Sequence, residues 1–92
     1  MTQLLDDALL KEQLKQTPDW ELRGKSIVRT FEHKDFVAAI GFVTSVGILA
    51  ERADHHPDID IRWNRVTLTL STHSAGGLTG KDFALARSID AL

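Results

Sequence analysis

Apolar residues recur along the chain in two rhythms, one near 3.6 residues and one of two. Leu5, Leu9, Leu10 and Leu14 lie at helical spacing and predict an amphipathic helix over residues 4–15, which Thr17-Pro18 stops. Trp20 and Leu22 alternate with charged residues, Arg23-Gly24-Lys25 reads as a turn, and Ile27, Arg29 and Phe31 alternate with Val28, Thr30 and Glu32. A strand, a turn and a second strand follow. Asp35 is placed to cap a second helix, in which Phe36, Val37, Ile40, Val43, Val46 and Leu49 keep the longer period up to Glu51 or Arg52. This is expected to be the central, buried core helix. Ile59, Ile61 and Trp63 then alternate with Asp60 and Arg62. Asn64-Arg65 is expected to form a tight turn, with Val66, Leu68 and Leu70 as the returning arm of a hairpin. Residues 74–78 read as a loop. Thr79, followed three residues on by Asp82, is a capping-box pattern opening a last helix through Phe83, Ala86 and Ile89.

The order α-β-β-α-β-β-α predicts an α+β fold: two hairpins joined in a four-stranded, largely antiparallel sheet with helices packed on one face. No repeat, low-complexity segment or linker interrupts residues 1–92, which are read as one domain. The uncovered face must be polar or must meet another subunit, and Thr67, Thr69 and Ser71 suit either.

Composition narrows the functional classes. At 42% hydrophobic and 26% charged the chain is too apolar for a disordered one. Its net charge of -2 supplies no positive field for a nucleic-acid backbone or an anionic membrane. Without cysteine there is no disulfide, thiolate metal site or cysteine nucleophile. The opening residues carry acids where a secretory signal needs a basic region, so the expectation is an unexported, cytoplasmic protein. The apolar stretch 36–50 includes Thr44, Ser45 and two glycines and is shorter than the roughly 20 residues of a membrane span.

Three of the four histidines sit at junctions. His55 and His56 lie between the central helix and a strand, and His73 lies just beyond a hairpin arm. Pro57 disfavours the helical conformation for His56, so both imidazoles leave regular structure and take their orientation from local partners. Glu51 and Asp54 are close enough in sequence to accept a ring N–H. If the strand runs on in register, His73 falls on the side of Thr67, Thr69 and Ser71; a loop break at Thr72 removes that parity. An imidazole's ordinary pKa of about 6.5 lets one ring give a proton while another accepts one near neutrality, which suits elimination of water.

Each residue also has an ordinary role open to it. Paired histidines before proline can simply stop a helix, His73 can be structural, Asp82 can be the cap partner of Thr79, and Glu51 and Asp54 can be solvated charges. His33 is expected on the surface. A metal site is disfavoured by spacing, since His55 and His56 are contiguous rather than one helical turn apart. The glycine loop departs from the phosphate-cradle pattern, because Asp82 stands where Ser or Thr should follow Lys81.

Taken together, Glu51, His55-His56-Pro57, Trp63, His73 and Asp82 at these separations resemble the signature of the pterin-4a-carbinolamine dehydratases. The resemblance extends over Trp20, the 31–36 stretch, Gly41-Phe42, Leu68-Thr69-Leu70-Ser71-Thr72-His73 and the final helix, which is nearly the whole chain. It implies dehydration of 4a-hydroxytetrahydropterin to the quinonoid dihydropterin, in tetrahydropterin recycling for aromatic amino acid hydroxylases, with neither metal nor organic cofactor. It further implies that His55, His56 and His73 share the acid and base roles, and that Glu51, Asp54, Trp20, Asp82 and Arg87 lie near the pterin. Homodimers or homotetramers are implied too, as is the alternative of a silent pterin-binding or assembly module of the dimerisation-cofactor type. His33, where relatives carry an apolar residue, and the glycine-rich 74–80 loop depart from the pattern.

Overall fold

The computed structural model describes residues 3–92. In chain order the elements are α1 (Asp7–Gln16), β1 (Glu21–Arg23), β2 (Ser26–Glu32), α2 (Phe36–Ala53), β3 (Asp58–Arg62), β4 (Arg65–Leu70), a 3-10 turn η1 (His73–Ala75) and α3 (Gly80–Asp90). The α+β order expected from the patterning is the observed one. The sheet is antiparallel throughout, in the order β1-β2-β4-β3.

Register sorts the side chains between two faces. Ile27↔Leu70, Phe31↔Val66 and Ile59↔Leu68 lie on the helix side, and Val66, Leu68 and Leu70 are fully buried there. Thr30↔Thr67, Val28↔Thr69 and Asp60↔Thr67 lie on the other, where the Thr30 and Thr67 hydroxyls hydrogen-bond at 2.9 Å. Onto the apolar face α2 packs Ala39, Val46 and Ala50, and α3 packs Phe83, Leu85, Ala86 and Ile89. Truncating Leu68 or Phe83 to alanine should cost about 2–5 kcal/mol, since neither site can collapse without moving the sheet.

Four expectations need correction. The first helix starts at Asp7 rather than residue 4: the Leu5 N–H donates to Leu78 O at 3.0 Å, and Asp6 caps the helix by accepting from the Leu9 N–H at 2.8 Å. Leu4 and Leu5 share the helical spacing, which hid this cap. The β3–β4 turn is Trp63-Asn64, not Asn64-Arg65, because Arg62 pairs with Arg65. Trp63 sits there at φ 54, a conformation costly for a bulky side chain, and is 69% exposed. His33 is half-buried, its ring 4.8 Å from that of Phe42 and its Nε2 without a partner among the described residues. Its main chain is pinned by Asn64, whose Nδ2 donates to His33 O and whose carbonyl accepts the His33 N–H, both at 2.8 Å.

The fourth concerns α2. Only Ala39, Val46 and Ala50 are buried, while Phe36, Val37, Ile40 and Ile48 point outward, Val37 being 79% exposed. Apolar residues occupy both faces, so the period that predicted one buried stripe could not show which side meets the core. By length and composition alone α2 could cross a bilayer, yet one of its faces is committed to this core.

Candidate active site

The site begins with the way α2 ends. Asp54 takes the left-handed conformation (φ 50, ψ 44), and the His55 N–H donates back to Ala50 O at 3.1 Å, closing the helix in a Schellman-like arrangement. Aspartate tolerates this backbone better than most residues because its short polar side chain bonds locally. The reversal sends His55 under the helix layer, where its side chain is 10% exposed, and Pro57 keeps His56 out of the helix and toward solvent.

His55 meets Asp82, its Nε2 lying 2.5 Å from Asp82 Oδ1. The Asp82 side chain is 0% exposed, and its other oxygen is already occupied. Oδ2 accepts from the Thr79 N–H at 2.9 Å and from the Thr72 hydroxyl at 2.8 Å. The Thr72 and Thr79 hydroxyls are 2.8 Å apart, so a chain runs from Thr79 Oγ1–H through Thr72 Oγ1–H to the carboxylate. With Oδ2 taken by two donors, Oδ1 is the acceptor for the imidazole. Nε2 then carries the hydrogen, and in the neutral ring Nδ1 keeps its lone pair. Both Asp82 oxygens and the Thr72 and Thr79 hydroxyls have partners, which is the condition for burying a charge at tolerable cost.

His56 has a carboxylate as well, Glu51 Oε1 at 2.6 Å from Nε2, one helical turn back along α2. That pair is open, with 55% of the imidazole side chain and 80% of the glutamate exposed. The parity expectation for His73 does not apply, since β4 ends at Leu70 and the chain turns into η1 at His73. What brings His73 in is the loop. The Thr72 N–H donates to Gly77 O at 2.9 Å, and Gly76, at φ 76, reverses the chain with its N–H on Thr72 O.

His55, His56 and His73 line one cavity of about 370 Å³, together with Asp54, Ser71 and Lys81. The volume lies in the range of about 300–1,000 Å³ usual for small-molecule sites. Among the described residues no three His, Asp or Glu side chains are grouped as a metal site. Glu51 stands behind His56, and Asp54 borders the space directly.

Asp82 is held behind His55, fully buried, and does not line the cavity. Trp20 and Arg87 are elsewhere. Trp20 is buried in the core with Nε1 donating to Asp90 Oδ1 at 2.9 Å, and Arg87 donates to Gln13 Oε1 at 2.7 Å on the α1 side of α3. Neither lines the histidine cavity of this chain. Sequence patterning gave Thr79 the role of a helix cap, and Thr72 and Lys81 none. A signal for the threonines was present: a capping box engages one oxygen of Asp82, and its neighbours Leu78 and Phe83 are core residues. A second buried partner for the carboxylate was therefore required.

Fold and cavity together define a small α+β protein with imidazoles gathered at one end of the sheet and a buried carboxylate fixing one of them, the layout of an acid-base site. A family model described as pterin 4 alpha carbinolamine dehydratase matches residues 3–92. A Chloroflexus aurantiacus protein, provisionally named a pterin-4-alpha-carbinolamine dehydratase, is 64% identical over 86 residues, 94% of this chain and 92% of its own. A Nocardia farcinica protein with the same provisional name is 57% identical over 91 residues, 99% of this chain and 96% of its own. The crystal structure of a transcriptional coactivator/pterin dehydratase from Brucella melitensis superposes with a TM-score of 0.89 at 38% identity, covering 95% of each chain. A pterin dehydratase-like protein identified as a RuBisCO assembly factor in the alpha-carboxysome has a TM-score of 0.68 at 24% identity, over 79% of this chain and 87% of its own, a likeness of fold alone. This chain belongs to the pterin-4a-carbinolamine dehydratase family, whose named relatives are hydro-lyases.

Proposed function

We propose that this protein dehydrates 4a-hydroxytetrahydropterin to the quinonoid dihydropterin by proton transfer among imidazoles, in recycling tetrahydropterin for aromatic amino acid hydroxylation. The observation that carries this reading is the single cavity walled by His55, His56 and His73, with a carboxylate behind each of the first two. In the reaction the C4a–O bond breaks and the hydroxyl leaves as water, taking a proton from an imidazolium. The N–H beside C4a gives its proton to a neutral imidazole, and the electron pair of that bond becomes the new C=N. Acid and base each contribute about 10² to 10⁴ in rate, because hydroxide alone leaves badly. His55, with its tautomer set by Asp82 and Nδ1 bare, suits the base. His56 and His73 are exposed, can exchange protons with solvent, and suit the acid.

The test is the decay of freshly generated 4a-carbinolamine with and without protein. Acceleration by the wild type that His55→Ala and His73→Ala largely abolish supports the reading, and no acceleration rejects it. A second reading, a silent pterin-binding or assembly module, draws on the coactivator description of the Brucella structure. Pterin binding without turnover would favour it. The proposal includes a cytoplasmic homodimer or homotetramer in which a second copy covers the outward apolar face of α2. Light scattering on Ile40→Glu should then report a smaller species than the wild type.

A further inference from the structure

A second cavity, also of about 370 Å³, lies between the last turns of α2 and the first turns of α3. Its apolar walls include Leu49, Ala53 and Leu85, and Arg52 and Lys81 stand at its border with Ser88. His55 and Lys81 line this cavity and the histidine cavity alike, so the two spaces adjoin across those side chains. No residue lining it is acidic among the described residues, and neither Arg52 nor Lys81 is within salt-bridge distance of a carboxylate there. Arg23, Arg29, Arg62 and Arg65 are paired with acids and Arg87 with Gln13, which leaves Arg52 as the arginine without a side-chain hydrogen bond or ion pair among the described residues.

We infer that this groove is a subsite for the C6 side chain of the pterin, and that it selects substrates whose side chain has an apolar or uncharged body and a terminal anion, phosphate or carboxylate. The inference rests on the dehydratase reading, since a ring held in the histidine cavity has this groove beside it across His55 and Lys81. The chemistry is complementary at both ends. The walls of Leu49, Ala53 and Leu85 cover a side chain of several atoms, the Arg52 guanidinium can offer a planar fork to a phosphate or carboxylate, and Lys81 adds a second positive charge to the same lining. Both cations are exposed, so the attraction is salt-sensitive and moderate.

The experiment is equilibrium binding of stable dihydropterins by the whole chain. 7,8-Dihydrobiopterin is the uncharged reference, 7,8-dihydroneopterin 3′-monophosphate the phosphate arm and dihydrofolate the carboxylate arm. At low salt one or both anionic ligands should bind about tenfold more tightly than the reference. That ratio should shrink toward one in Arg52→Gln and fall below one in Arg52→Glu, and Arg52→Lys should restore part of it. A gain in one arm alone identifies the anion. Equal affinity for all three ligands, or a gain that survives Arg52→Glu, overturns the subsite while leaving the dehydratase reading intact. If the uncharged reference neither binds nor competes with a pterin, it is the dehydratase reading that fails, and the subsite with it.

Discussion

His55 and His56 are neighbours in the chain, and each has a carboxylate at nearly the same distance, 2.5 Å for Asp82 and 2.6 Å for Glu51. In surroundings they differ completely. The Asp82 side chain is fully buried and shared among His55, Thr72 and Thr79, whereas the Glu51 side chain stands in water with His56 as its one hydrogen-bond partner among the described residues. Distance therefore says little about what an ion pair does here. A buried carboxylate with both oxygens engaged fixes the orientation and tautomer of a ring, and removing it leaves donors stranded. An exposed one only biases a ring that solvent also solvates.

Substitutions can break this contrast, and the largest effect is expected at Asp82. Asp82→Ala should lower the unfolding free energy by about 3–5 kcal/mol in urea titrations, and a comparable loss for Glu51→Ala would abolish the distinction. The gentler Asp82→Asn keeps the shape and alters the ring's partner. It should lower kcat/KM for carbinolamine dehydration about 10²-fold with the fold intact, as loss of an orienting partner does elsewhere. Thr72→Val removes a single donor to the buried carboxylate and should cost about 1–2 kcal/mol, read from the same titration. Glu51→Gln should change stability by less than about 0.5 kcal/mol, and by less still in 1 M salt, where surface pairs are screened. The smallest effect is expected at Glu21, where the hydrogen bond and charge of Arg23 hold the carboxyl below its ordinary range. A depressed acid stabilises the fold above the ordinary carboxylate range, and the contribution disappears as pH falls through it. Both side chains of the pair stand in solvent, so Glu21→Gln should leave thermal unfolding at pH 7 within experimental error, and a shift as large as that of Thr72→Val would overturn the ranking.

Element order and sheet type were legible in the sequence because alternation and helical period are local properties, and Asp35 and the Thr79/Asp82 box marked two helix starts correctly. Asp6 went unread because Leu4 and Leu5 imitate the helical stripe while docking on the Leu78 region as extended chain. Strand order was beyond reach, since β2 pairs with β4 rather than β3 through partners 43 residues apart, Ile27 and Leu70. Within the site, the junction histidines and the nearby Glu51 were visible as a spacing. The partner of His55 was not, because Asp82 has a sufficient local explanation as a cap and only the tertiary approach of α3 to the end of α2 reveals its second oxygen at work. Trp20 and Arg87, placed near the pocket by resemblance, turn to Asp90 and Gln13 in this chain.

The Asp82 link has a consequence for how the molecule assembles. It joins residues 27 positions apart, whereas the contact from Trp20 to Asp90 spans 70. Closing the longer loop costs roughly 0.8 kcal/mol more chain entropy. Every residue of the histidine cavity falls between Asp54 and Lys81, so on refolding the working end can condense around the β3–β4 hairpin before the N-terminal hairpin zips onto β4 and seals the far side. A pulse-labelling exchange experiment should find amides of α3 and β4 protected ahead of those in β1.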